Sequence, residues 1–256
     1  MSRVVVIGGG VFGRAVGREV VHQGGRCTIL SPNPVELPLL WRRADAVTGE
    51  GLREGLRSAT AMVYAAWSNG DAKLQRDVCH VGALHAISAA RSAGVGKIAV
   101  VGPIGAEREE ATEGMRGHRE LAEMEPGLLH VRLPMLFGDD DHLTSEWRRG
   151  FVKGARVRYL ASEQHLRPLA TWDAARALLA LMEKGTTGVV ELTGPVETTT
   201  NALALAWAEK RGVTRIRGRR ATRWERALLA CQSDSKEAWV DLLSEGRVDP
   251  EEWVTR

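Results

Sequence analysis

The chain has 256 residues, 44% hydrophobic and 26% charged, which excludes a disordered or fibrous polymer and leaves one large domain or two small ones. With 35 Lys and Arg against 32 Asp and Glu, the net charge of +3 is too mild to argue for nucleic acid. The three cysteines, Cys27, Cys79 and Cys231, are odd in number and scattered. They suit a reduced, cytoplasmic protein better than a disulfide scaffold or a zinc site. There is no signal-peptide layout at the start and no apolar run long enough to span a bilayer, so no membrane partner is expected.

Arg3 to Ile7 is a β-branched run closed by glycines, the pattern of a buried strand. Helix-forming sequence follows from Phe12 to Gln23, then a Gly-Gly break, then a second strand from Cys27 to Leu30. Strand, glycine turn, helix and strand form a βαβ unit and imply a parallel sheet. The alternation continues with a helix at Leu52 to Arg57, a strand at Ala61 to Ala65, a long alanine-rich helix at Val78 to Ala93 and a strand at Ile98 to Val101. A polar helix from Glu107 to Met124 then leads into a strand from Leu128 to Leu133 that ends at Pro134.

Beyond Gly138 the rhythm loosens. A short helix is expected at Trp147 to Val152, a strand at Val157 to Leu160, and a helix from Ala174 to Glu183 capped by Asp173. A strand at Val189 to Leu192 and a helix at Thr200 to Lys210 follow. Trp224 to Leu243 carries an apolar stripe at helical spacing, suited to a cap or to the contact of a homodimer. The expected division is residues 1–138 as a nucleotide-binding portion and 139–256 as a smaller substrate-binding portion, with Thr171 to Leu192 returning to the sheet.

Gly8-Gly9-Gly10-Val11-Phe12-Gly13 contains G-x-G-x-x-G, leaving a strand and opening a helix, which is the context that gives this motif meaning. Gly8 permits the tight turn, Gly10 lets a pyrophosphate approach, and Gly13 lets helix and strand pack closely. The amides of Val11, Phe12 and Gly13 at the helix start then face the phosphates. The expected fold is therefore α/β, a doubly wound parallel-sheet Rossmann fold with a smaller C-terminal portion. At the end of the second strand, where an acid would favour NAD(H), stands Ser31-Pro32-Asn33. Ser31 and Asn33, with Arg14 beside the last glycine, favour NADP(H) over NAD(H).

Several stretches together resemble the atypical, extended short-chain dehydrogenases, and most closely the NmrA-like NAD(P)-binding proteins. They are the glycine loop, Ala44-Asp45-Ala46, Leu52 to Ala66, Ala89 to Val95, Arg132 to Gly138 and Thr171 to Ala175. The resemblance implies that Asp45 and Ala46 lie beside the adenine, that the chain at Ala65 and Ala66 borders the cofactor, and that Pro134 lies by the nicotinamide. It also exposes departures. Reductases of this kind use a Tyr-x-x-x-Lys pair with a serine after the preceding strand. Here Tyr64 is followed by Ser68 and Tyr159 by Glu163, Val101-Gly102-Pro103 stands where the serine is expected, and Met115 and Arg119 stand where the tyrosine and lysine would be.

His118 is the candidate proton donor, since imidazole titrates near neutral pH. Arg119, in the lysine's place, is the candidate contact to the nicotinamide ribose. The charged neighbours Glu113, Arg116, Glu120 and Glu123 also allow a plain exposed helix. Trp67, Met135, His142 and Arg167 are the candidate substrate contacts: Trp67 and Met135 for a planar molecule, Arg167 for an anionic one. Asp139-Asp140-Asp141-His142 reads as a solvated turn rather than a metal site, and the basic run Arg215 to Arg220 as a solvated edge rather than a nucleic-acid site. The expectation is an NADPH-dependent reductase of a small, planar, electron-poor substrate. The alternative is an NAD(P)-binding protein without hydride turnover, either a redox-sensing regulator or an isomerase or coupling enzyme.

Overall fold

The computed structural model describes residues 3–35, 39–109, 111–138, 147, 151, 157–221, 226 and 229. The chain divides into two compact units that are not consecutive in sequence. The first comprises residues 1–102, 106–132 and 175–190; the second comprises 103–105, 133–174 and 191–256. The crossing after Arg132 comes earlier than the expected division after Gly138, and residues 175–190 belong to the first unit.

The first unit is built on a seven-stranded sheet of order β10-β6-β5-β4-β1-β2-β3. The strands are β1 (Arg3–Ile7), β2 (Arg26–Ser31), β3 (Leu40–Arg43), β4 (Ala61–Tyr64), β5 (Lys97–Pro103), β6 (Leu129–Leu133) and β10 (Gly188–Glu191). β1 pairs in parallel with β2 and β4, and β2–β3 and β4–β5 are parallel too. This is an α/β, Rossmann-like sheet, as the alternation of strands and helices implied. β10 lies beside β6 in this sheet.

The fully buried runs of β1 and β4 explain their apolar, non-alternating sequences, since both faces of a central parallel strand are covered. Val5, Ile7, Leu30, Met62 and Tyr64 meet Leu52, Leu56, Ala83 and Ile87 in one core cluster. Strand order reverses between β1 and β4, which opens a crevice at their carboxyl ends. That is where the glycine turn and the Ala65-Ala66-Trp67 segment stand.

The helices differ from expectation in their boundaries. α1 is Val11–His22, α2 Leu52–Gly55, and the long alanine-rich helix is three consecutive pieces. α3 (Ala72–Arg76) begins earlier than expected because the Asp71 side chain accepts from the amide of Leu74 at 2.8 Å. A π-helical turn (Asp77–Val81) follows, then α4 (Gly82–Ser92). α5 (Glu113–Met124) starts later than Glu107, because Thr112 caps it through the amide of Met115. β3 was not foreseen: the sequence Leu40-Trp41-Arg42-Arg43 has no apolar alternation, since it is the sheet's edge.

In the second unit, β7 (Leu136–Phe137) pairs with β9 (Leu169–Ala170), and β8 (Val157–Leu160) pairs in parallel with β11 (Ile216–Arg219). α6 (Thr171–Lys184), whose residues from Ala175 on belong to the first unit, opens before Asp173, so that residue sits buried in the first turn and is not the cap. α7 (Thr200–Lys210) is capped by Thr199. Trp147 and Trp207 anchor this unit's core with ring centroids 5.9 Å apart, and Phe137, Val157, Leu160 and Leu166 pack in the same cluster. In the basic run, Arg217 stands in register with Arg158 and both are exposed. The expected Trp224 to Leu243 stripe, Cys231 and the Asp139 to His142 turn lie outside the described residues. Among the described residues no helix is long and apolar enough to cross a membrane. Cys27 and Cys79 are free and buried, and burial pushes both thiols up to about 12.

Candidate functional site

Three glycines of the turn after β1 are required by different neighbours. Gly8 has φ +117°, and a Cβ there would stand 2.6 Å from the Ala66 amide nitrogen and 2.8 Å from the Ala65 carbonyl oxygen. Its turn therefore presses directly on the segment leaving β4, and Ala65 closes the contact by donating its N–H to Ile7 at 2.8 Å. A Cβ on Gly13 would fall 2.0 Å from the Gly8 carbonyl oxygen, so helix and strand approach as only glycine permits. A Cβ on Gly9 would meet Ser31 Oγ at 2.9 Å and Val35.

Gly10 is different. It has ordinary extended backbone (φ −68°, ψ −177°), and a Cβ there would meet nothing within 4 Å. It forms the N-cap of α1, where no side chain caps the helix and no acid occupies the first turn. An uncapped, acid-free helix terminus with open space beside Gly10 suits an anion. Val11 and Phe12 are half-buried behind it.

The residues expected to select the cofactor are largely engaged within the protein. Ser31 is buried; its hydroxyl donates to the Asn33 carbonyl at 2.6 Å and accepts from Trp41 Nε1 at 3.1 Å. Arg14 donates from Nη1 to the Gly9 carbonyl at 2.9 Å, tying the helix to the turn. Asn33 is exposed, as is Arg43, which stands in register with Ser31 on β3. No carboxylate stands at the end of β2, where Ser31, Pro32 and Asn33 follow one another. Asp45 binds its own turn, its Oδ1 accepting from Val47 at 2.8 Å and Thr48 at 3.3 Å. Ala46 packs near Gly82, and the His85 ring Nδ1 lies 3.1 Å from its carbonyl oxygen.

The helix carrying His118 is not the exposed one that its charged neighbours allowed. His118 is buried, its ring stacked on Trp67 with centroids 5.7 Å apart and planes 12° from parallel. A Cβ on Gly102 would stand 2.8 Å from that ring, so this glycine makes room for the imidazole. Burial, reinforced by His130, Arg132 and His80, pushes His118 down to about 3. This shift favours the neutral imidazole near neutral pH. Its Nε2 is buried and has no hydrogen-bond partner among the described residues.

Arg119 is a third exposed, its Nε 3.7 Å from Glu123, and Met115 is buried. Trp67 is 39% exposed, and its Nε1 donates to Asn69 Oδ1 at 2.7 Å. In the second unit Pro134 and Met135 are buried, and Arg167 has Glu197 at 3.6 Å. His142 lies outside the described residues. The residues that sequence reasoning missed are Gly102, Gly114 and Trp41. Two glycines inside the short stretch Glu113-Gly114-Met115-Arg116-Gly117 were the available signal, since glycine mid-helix marks close approach by a neighbour.

No family model matches the chain, and no curated protein matches it. Solved structures do. UDP-glucose 4-epimerase of Thermotoga maritima, solved with UDP-glucose, aligns at TM-score 0.79 and 16% identity over 99% of this chain and 96% of its own. TunA, an NAD-dependent NDP-hexosamine 5,6-dehydratase of tunicamycin biosynthesis, aligns at 0.79 and 15% identity over 99% and 95%. The Bordetella bronchiseptica enzyme WbmH, in complex with NAD+, aligns at 0.78 and 14% identity over 100% and 96%. The likeness is one of fold, and it spans both units of the chain.

Proposed function

We propose that this protein is a pyridine-dinucleotide-dependent oxidoreductase acting on a small molecule with its own electron sink, such as a quinone, an enone or an iminium. The observation that carries the dinucleotide is Gly10: nothing in the protein itself requires a glycine there, whereas a phosphate approaching the first turn of α1 would. The amides of Val11, Phe12 and Gly13 would hold the pyrophosphate, with the chain at Asp45-Ala46 and at Ala65-Ala66 bordering the rest. When bound, the dinucleotide supplies or accepts the hydride. The structural neighbours described with NAD favour NAD(H); the acid-free end of β2, with Arg43 exposed beside it, favours NADP(H).

The substrate class follows from what the chain lacks. Reducing a simple ketone to an alcohol asks for a proton on oxygen as hydride arrives, and no tyrosine, nor a titrating imidazole at His118, stands ready to give one. A conjugated acceptor delocalises the arriving electrons and needs less help. Stopped-flow oxidation of NADH and NADPH in the presence of quinones, enones and imines tests this, with turnover expected for at least one class. Absence of turnover with all three would favour the second reading, a dinucleotide-binding protein without hydride transfer. That reading draws on the neutral His118 and on Arg119, whose Nε lies beside Glu123.

A further inference from the structure

Trp67 combines two properties seldom found together: it is well exposed, and it is held rigidly. Three contacts fix it. One ring face lies on the His118 imidazole, its outer edge lies against Gly114 at the start of α5, and its Nε1 donates to Asn69. A Cβ on Gly114 would stand 3.1 Å from Trp67 Cη2, and one on Gly102 would press into the His118 ring at 2.8 Å. Two glycines on two different elements therefore make room for a single two-ring stack. An exposed tryptophan that served only as packing would need neither.

We infer that the outer face of Trp67 is a stacking platform for the flat conjugated ring of the substrate, with His118 as the positioning residue that backs it. The inference rests on the reading of the crevice as a dinucleotide-dependent site, since Trp67 follows Ala65-Ala66 at the carboxyl end of β4, one wall of that crevice. The indole face is electron-rich, so it attracts electron-poor rings in offset stacking. An aromatic side chain with only two rotatable bonds, already fixed from behind, loses little freedom when a ligand settles on it. His118 supports the platform by being flat and neutral, and its Nε2 has no hydrogen-bond partner among the described residues.

The test uses menadione, a small flat quinone, titrated into the full chain by fluorescence quenching, alongside NADH and NADPH titrations of the same variants. Wild type is expected to bind menadione saturably. W67A is expected to weaken it at least about tenfold, W67F less than about threefold, and both to keep the wild-type dinucleotide affinity. H118F, which keeps a flat ring and removes both nitrogens, is expected to bind menadione like wild type, whereas H118A weakens it and shifts the Trp67 emission. Three results would overturn the inference: no saturable menadione binding by wild type, unchanged binding by W67A, or equal loss of menadione and dinucleotide in W67A. The functional reading fails separately, if wild type binds neither dinucleotide, and the menadione titration still decides the role of Trp67.

Discussion

At the residue scale, His118 shows how one side chain is read differently from its neighbours in sequence and from its neighbours in space. Flanked by Gly117, Arg119 and Glu120, it looks solvent-facing; packed against Gly102 and Trp67, it is buried and neutral. Its folded value near 3 lies below the ordinary value near 6.5, so protonation favours the unfolded chain. The contribution of the neutral form is fully present above the ordinary value and is lost as pH falls from there towards the folded value. His130 is shifted down as well, chiefly by burial, and acts in the same sense. Between about pH 7 and about pH 5 the His118 effect is expected to cost about 2 kcal/mol of unfolding free energy, measured by guanidinium titration. H118F should show a visibly shallower decline over that interval; an identical decline would contradict the burial account.

At the element scale, the segment from Asp71 to Ser92 carries the largest departure from expectation. The sequence marks one alanine-rich helix from Val78 to Ala93, whereas the chain runs through α3, a π turn at Asp77–Val81 and α4. The cause is tertiary. Tyr64 on β4, fully buried, donates its hydroxyl to the Val78 carbonyl at 2.5 Å, and the His80 ring lies 3.1 Å from the Gly117 carbonyl on α5. No local pattern announces partners that distant. Tyr64→Phe is expected to destabilise the protein by about 1–3 kcal/mol, because it leaves a buried carbonyl without its donor. Amide hydrogen exchange around Val78 and Cys79 should rise with it; unchanged stability and exchange would mean that the π turn holds itself.

At the scale of the whole molecule, the parallel α/β sheet was legible because its central strands are apolar runs closed by turn signals, and because the glycine motif marks the first crossover. β3 was not, since an edge strand rich in arginine carries no burial pattern. Of the interleaving of the two units, the return of Thr171 to Leu192 to the sheet was an expectation of the sequence, whereas the crossings at residues 103–105 and after Arg132 carry no local signal. Of the site, the glycine turn could be read residue by residue, because each glycine answers a steric demand that the motif encodes. The backing of Trp67 could not, because it joins the segment after β4 to β5 and α5, which share no sequence neighbourhood.

The central claim is that Gly10 is glycine for the sake of a bound dinucleotide, unlike Gly8 and Gly13, which the fold itself requires. Calorimetric titration of NAD(H) and NADP(H) into wild type and G10A, with thermal unfolding of both, tests it most directly. The account predicts one-site binding by wild type, an affinity in G10A lower by at least about tenfold, or about 1.4 kcal/mol, and an unfolding midpoint close to that of wild type. Equal affinity in the two proteins, or no binding of any of the four dinucleotides by wild type, would contradict it.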